Sequence, residues 1–272
     1  MLNDIIDKIN QAIGYPIKKQ SGLLPEFDLI VKQIRDDLLF VKINHPDLYH
    51  KFSHNQEQLL SKLDNKIILD EKNHETIIAS FMCGKKTLTK NEMSTLSESL
   101  KFYTEHYRSL YFDERELLEQ SPKHICHIGC GPMPASILMW MKYTNAKVTA
   151  IDYDKDAIES AREVFENWRH HKGMAIERAT FITEAGENFN YAGIDLILLS
   201  SSIVNKENVY VAILNSAIDI VNVIERIPHF LYHSQFRGST SFEHYLLATK
   251  ERNDMNLRLY RFPALNGEQH GK

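Results

Sequence analysis

The segment that most constrains this chain is HICHIGCGPMP, residues 124–134. A short apolar run ends in two glycines one residue apart, and prolines follow. An extended run cannot turn straight into a helix unless some residues accept backbone angles that side chains disfavour. Gly129 and Gly131 supply that freedom. Without side chains they also leave the backbone open to a ligand. Proline is acceptable in a first helical turn, where its missing N–H is not needed. The spacing therefore predicts a strand, a tight turn, and a helix from Pro134 to Tyr143.

The same alternation continues downstream. KVTAID (147–152) predicts a second strand. Ile158, Ala161, Val164, Phe165 and Trp168 give helical spacing over 155–172, with Gly173 as a stop signal. ATFITEA (179–185) and IDLILLSS (194–201) predict the third and fourth strands, 209–223 a helix, and HFLYHS (229–234) a fifth strand. HYLLATKERNDMNLRLYRFP predicts two strands around a polar turn at Asn253–Asp254. Strands alternating with helices imply a parallel sheet covered on both faces. The near-continuous apolar character of 194–199 suits a central strand.

The first part of the chain has a different period. Ile5, Ile6, Ile9, Ala12 and Ile13 share one helical face. Ile30, Ile34, Leu38 and Val41 form another, then Leu59, Leu60, Leu63 and Ile67, then Ile77, Ile78, Phe81 and Met82. Pro16, Pro25 and Pro46 punctuate these segments. The expected organisation is a helical domain over 1–115 and an α/β domain over 116–272.

Composition narrows the function. The 272 residues carry a net charge of -4, with basic residues dispersed, which favours neither nucleic acid nor a membrane surface as partner. Three cysteines, Cys83, Cys126 and Cys130, make no disulfide framework and fit a reducing compartment. No apolar run approaches the ~18 residues of a membrane span. The opening MLNDIIDKINQAIG reads as an amphipathic helix rather than a signal peptide, so the cytoplasm is the expected location. No second ligand pair matches Cys126 and Cys130, so no metal is expected. His170–His171 read as a helix-end cap.

The glycine turn lacks the third glycine of a dinucleotide fingerprint, because position 134 is proline. That weighs against a nicotinamide oxidoreductase. Asp152 ends the second strand 23 residues after Gly129, where a carboxylate can accept from both ribose hydroxyls of an adenosine. Glu184, the acid at the end of the third strand, is in reach of an adenine amine. Turn, Asp152 and Glu184 together point to S-adenosylmethionine and a class I methyltransferase-like Rossmann fold. Pro132 and Tyr153, neighbours of these residues, join the candidate donor contacts. Ser201 or Ser202, closing the fourth strand, either contacts a substrate or simply shapes the turn. No D/N-P-P-Y/F motif stands there, which counts against nucleobase methylation.

IGCGPMP resembles the IGSGPLP-type signature of the nicotianamine synthase family. KFYTEHYRSLYFDERELLE (101–119) resembles that family's F-x-Y-Y-x-N-Y-x-x-L-x-x-x-E stretch. The resemblance spans roughly 75–235 and is strongest to the short bacterial members of staphylopine-type pathways. It implies transfer of the 3-amino-3-carboxypropyl (aminobutanoyl) group of S-adenosylmethionine to an amino acid amine, with methylthioadenosine leaving. It further implies D-histidine as acceptor, a nicotianamine-like metallophore as the pathway's product, and a downstream opine-type dehydrogenase as the next enzyme. Oligomeric state stays open. Tyr103 and Tyr107 lie four apart on one helical face, with His106 beside it. They hold the donor's amino acid arm or the acceptor amine, Tyr107 nearest the reacting centre; the bland alternative is a packing pair. Two departures stand out. Gly84-Lys85-Lys86 replaces an acidic stretch, and His106 an asparagine. Lys85 or Lys86 either pairs with an acceptor carboxylate or is solvated. The rival activities are a small-molecule N-methyltransferase, marked by S-adenosylhomocysteine as by-product, and a non-catalytic adenosyl-binding protein.

Overall fold

A computed structural model describes residues 1–17, 25–85, 90–172, 178–229, 231–232, 236 and 240–264. Five helices come first: α1 (Leu2–Gly14), α2 (Pro25–Asn44), α3 (Pro46–Asn55), α4 (Glu57–Met82) and α5 (Lys90–Glu116). Pro25 and Pro46 are the first residues of α2 and α3, where proline's fixed φ suits a helix start. Then follow β1 (His124–Ile128), α6 (Ala135–Tyr143), β2 (Lys147–Asp152), α7 (Lys155–Lys172), β3 (Ala179–Thr183), β4 (Leu196–Leu199), α8 (Lys206–Ser216), β5 (Val221–Pro228), β6 (Leu246–Glu251) and β7 (Met255–Phe262).

The strands form one sheet in the order β3-β2-β1-β4-β5-β7-β6. The first five are parallel, and β7 runs antiparallel to both β5 and β6. The chain is thus α/β with a class I methyltransferase-like Rossmann sheet, as the alternating pattern predicts. Period-two alternation divides its strands between two cores. Ile125, Leu196 and Leu198 face α5, α6 and α7. Cys126, Ile128, Ile197 and Leu199 face α8.

The expected fifth strand is displaced. HFLYHS was the expected segment, but β5 is Val221–Pro228, and α8 stops at Ser216 rather than running to 223. VNVIERIP buries Glu225 and Arg226, at 0% and 5% exposure. Two adjacent charges disguise a strand buried on both faces, and ion pairs make their burial tolerable. Of HFLYHS, Phe230 and residues 233–234 lie outside the described residues, as do Gly173 and Lys86 and the side chain of His171. Leu231 and Tyr232 are not strand residues. They are buried, with Phe236, in the core of the N-terminal helices, against Ile5, Ile9, Ile34, Leu38 and Leu63. The Tyr232 N–H donates to both carboxylate oxygens of the buried Asp64, at 3.0 and 2.8 Å.

The end of α4 and α5 contribute to the sheet's core through Ile78, Ala79, Leu96, Leu110 and Tyr111. Helices and sheet are therefore packed together along this face. Among the described residues no helix is long and apolar enough to cross a membrane.

Candidate active site

The glycine turn sits where the sequence places it. Gly129 (φ 72°) and Gly131 (φ 64°) both occupy the left-handed region that side chains strain to enter. The Gly129 N–H donates to the Ile151 carbonyl at 2.8 Å, tying the turn to β2. Space is also tight here, although the atoms in the way are the ends of side chains. A Cβ on Gly129 would stand 2.6 Å from Ile203 Cδ1, and one on Gly131 would stand 2.5 Å from Glu75 Oε2. Pro132 is buried in the turn and Pro134 is the residue just before α6.

Asp152, 9% exposed, closes β2 beside that turn. Its Oδ2 accepts the Gly131 N–H and its Oδ1 the Asp154 N–H, each at 3.0 Å. Burial pushes its pKa up, and the two amides and Lys72 pull against that. Each oxygen has lone pairs to spare for a further donor. Tyr153 next to it is 77% exposed. Half-buried Glu184 follows β3, its carboxylate accepting the Ala185 N–H at 3.0 Å. Half-buried Ser201 follows β4, next to buried Ser200. Gly129, Gly131, Asp152, Glu184 and Ser201 thus collect at the carboxyl ends of four adjacent strands. The sequence order switches there, and open α/β sheets bind ligands at such a point.

Helices α4 and α5 cover this crevice. Lys72 of α4 pairs with Asp154 after β2, and one turn further on Glu75 abuts Gly131. Burial, then Glu71, then Asp152 raise the Glu75 pKa well above the ordinary value. Burial and then Asp70 raise that of Glu71. The Tyr103 and Tyr107 rings lie 5.7 Å apart, and burial followed by Glu75 pushes both phenols up. His74 meets the Tyr103 ring edge-on at 5.5 Å, and burial pushes its pKa down to about 4. The structure therefore gathers two tyrosines, two glutamates and the glycine turn.

Sequence reasoning missed Glu71, His74 and Glu75. A signal was present. The apolar stripe Leu60, Leu63, Ile67, Ile78 continues at helical spacing through 71, 74 and 75, so these polar residues stand where core residues belong.

His106 sits 5.1 Å from the Tyr107 ring, and its Nδ1 lies 3.4 Å from Asp254 Oδ2 in the β6–β7 turn. It thus touches Tyr107 while leaning on the hairpin. Arg252 of that turn pairs with Asp113 of α5. Glu114 of the tyrosine-containing stretch is 1% exposed. It accepts the Trp140 Nε1–H at 3.0 Å and the Arg226 Nε–H at 2.7 Å. Lys85 pairs with Glu163 of α7, both side chains being exposed, and is not gathered into the crevice. Cys126 and Cys130 are buried, and among the described residues no group of three or more His, Cys, Asp or Glu could hold a metal ion.

No family model matches the sequence, and no curated protein matches it. Solved structures do. A Glu→Gln variant of MtNAS, a nicotianamine synthase, superposes with a TM-score of 0.69 at 15% identity, over 96% of this chain and 97% of that one. The chain has the MtNAS fold. The same variant in complex with S-adenosylmethionine gives 0.66 at 13% identity, over 95% and 98% of the two chains. MtNAS in complex with MTA and tNA gives 0.64 at 14%, over 96% and 97%. At these coverages the shared fold takes in the N-terminal helices as well as the sheet.

Proposed function

We propose that this chain transfers the 3-amino-3-carboxypropyl group of S-adenosylmethionine to the amine of an amino acid. The observation that carries the reading is the pairing of Asp152 with Glu75 across one glycine turn. Asp152 suits the ribose hydroxyls of an adenosyl donor, Gly129 and Gly131 give its backbone room, and Glu184 suits the adenine amine. Pro132, Tyr153 and Ser201 line the same donor side. Glu75 and Glu71 suit a cation. An acceptor ammonium is one, and burial makes each carboxylate a stronger base than usual.

In the reaction the acceptor nitrogen attacks the γ-carbon of the donor's longer arm. The new C–N bond forms as the C–S bond breaks, the sulfur keeps the electron pair, and methylthioadenosine leaves. The amine must shed protons to attack and again afterwards, and Glu75 is placed to receive one. Tyr107 positions the amine, Tyr103 steadies the amino acid arm, and His106 braces Tyr107 from the hairpin side. The choice of the γ-carbon over the methyl is one of geometry, since attack must be in line with the scissile bond. That MtNAS has been crystallised with S-adenosylmethionine and with MTA and tNA supports the reading.

D-histidine is the proposed acceptor, on the strength of the motif resemblance. The product would carry amines, carboxylates and an imidazole, suited to divalent transition metals, and would pass to an opine-type dehydrogenase. The test is to incubate the protein with S-adenosylmethionine and a panel of L- and D-amino acids. Methylthioadenosine and an acceptor heavier by one aminobutanoyl group are expected. S-adenosylhomocysteine as the nucleoside product would replace this reading with N-methyl transfer.

A further inference from the structure

Beneath the glycine turn lies a histidine that the proposed chemistry does not use. His127 of β1 is 3% exposed. Its Nε2 is 2.9 Å from Ser200 Oγ, and that Oγ is 2.8 Å from the Gly129 carbonyl oxygen. Counting protons fixes both directions. A carbonyl oxygen only accepts, so the single hydroxyl proton of Ser200 goes to Gly129. The hydroxyl oxygen must then accept from His127, whose proton therefore resides on Nε2. Nδ1 is left a bare acceptor, and it is buried with no hydrogen-bond partner among the described residues.

That arrangement is costly for a residue that only fills space. A leucine would occupy the position without stranding a buried lone pair. Burial, helped by Arg226, holds the imidazole neutral far below its ordinary pKa, so the ring is not a proton carrier at neutral pH. What it does have is a fixed N–H aimed at Ser200. Gly129 is then held from two sides, its N–H by Ile151 of β2 and its carbonyl by Ser200 after β4.

We propose that His127 is a positioning residue which, through Ser200, orients the Gly129 carbonyl and so holds the turn 129–131 in the shape that meets the donor and Glu75. The proposal rests on the donor reading above, and its test separates the two. Nitrogen-15 NMR of the ligand-free protein reads the tautomer directly. Protonated Nε2 with bare Nδ1 is expected, and the opposite tautomer overturns the relay. His127→Leu and Ser200→Ala should each weaken S-adenosylmethionine binding about tenfold, the scale of one net hydrogen bond. The double variant should be no worse than either single one, because both remove the same chain of bonds. His127→Gln, which keeps a side-chain N–H donor, should recover most of the affinity. Turnover at saturating donor should change less than twofold. Additive losses in the double variant, or native affinity in His127→Leu, would refute the proposal. If the native protein binds no S-adenosylmethionine, the donor reading falls and amide exchange at Gly131 decides the relay alone. Faster exchange in His127→Leu supports it, and unchanged exchange overturns it.

Discussion

Glu114 and Glu75 both influence Tyr107, and the fold treats them oppositely. Glu114 is fully engaged by Arg226 and Trp140. Glu225 of β5, beside Arg226, is handled likewise, with Lys206 Nζ at 3.2 Å and the Tyr260 hydroxyl donating at 3.0 Å. Glu75 and Glu71 face each other and two phenols, Glu75 also faces Asp152, and among the described residues neither glutamate has an ion-pair partner. Both are half-buried, and partly desolvating an unpaired carboxylate costs stability. The paired acids secure the sheet to its helices; under the proposed function the unpaired ones hold a place for the positive charge of the acceptor.

Five experiments bear on that contrast. Asp152 is the acid that belongs to both groups, held by backbone N–H donors yet open to the crevice. Asp152→Ala should lower donor affinity by about 100-fold or more, read by calorimetry, as two charge-assisted hydrogen bonds are lost. Unchanged affinity would remove the ribose assignment. Glu75→Gln should cut turnover by roughly 100-fold, within the range of a lost acid–base group, while raising Tm by about 2–4 °C, because an unpaired, partly desolvated carboxyl is neutralised. A fall in Tm would mean that Glu75 is structural, like Glu114.

Glu114→Gln is the matching experiment on the paired side. It strands Arg226 and should cost about 3 kcal/mol in denaturant unfolding. Little loss of stability would dissolve the distinction. Tyr107→Phe should slow turnover roughly tenfold while shifting donor affinity less than twofold, if its hydroxyl positions the acceptor. The smallest effect concerns pH. Burial, with Asp28 adding to it, raises Asp70 from 3.8 to about 6. Between those values the unfolded chain releases this proton and the folded chain keeps it, so stability falls as pH rises. Half-buried His74, lowered from 6.5 to about 4, acts in the opposite direction over that window. The difference between native and Asp70→Asn unfolding curves should isolate the acid: the native chain loses up to about 1 kcal/mol relative to the variant from pH 4 to 6. Parallel curves would place Asp70 in ordinary solvent.

Legibility in the sequence followed distance along the chain. Gly129, Gly131 and Asp152 could be read because turn and strand end are local features with a spacing set by one βαβ unit. The parallel sheet could be read from alternating periods. Glu71 and Glu75 could not be placed, since their meeting with the turn depends on how α4 crosses α7, 80 residues later in the chain, and no local period encodes a crossing. β5 was misplaced for a related reason. Glu225 and Arg226 look like surface residues until Lys206 and Glu114 are brought up beside them. His106 was legible as a neighbour of Tyr107, but its partner Asp254 lies on a hairpin formed from the far end of the chain.

The bond from Tyr232 to Asp64 spans 168 residues. Leu231, Tyr232 and Phe236 complete the apolar interior of the first four helices. A ribosome must therefore make the five parallel strands before those helices can finish closing. Until then the nascent N-terminus carries greasy faces that its own neighbours do not fully cover, so synthesis from one end cannot yield a finished helical half ahead of the sheet. Severing the chain between β4 and β5 should leave the front fragment prone to aggregate, although every residue of its helices is present.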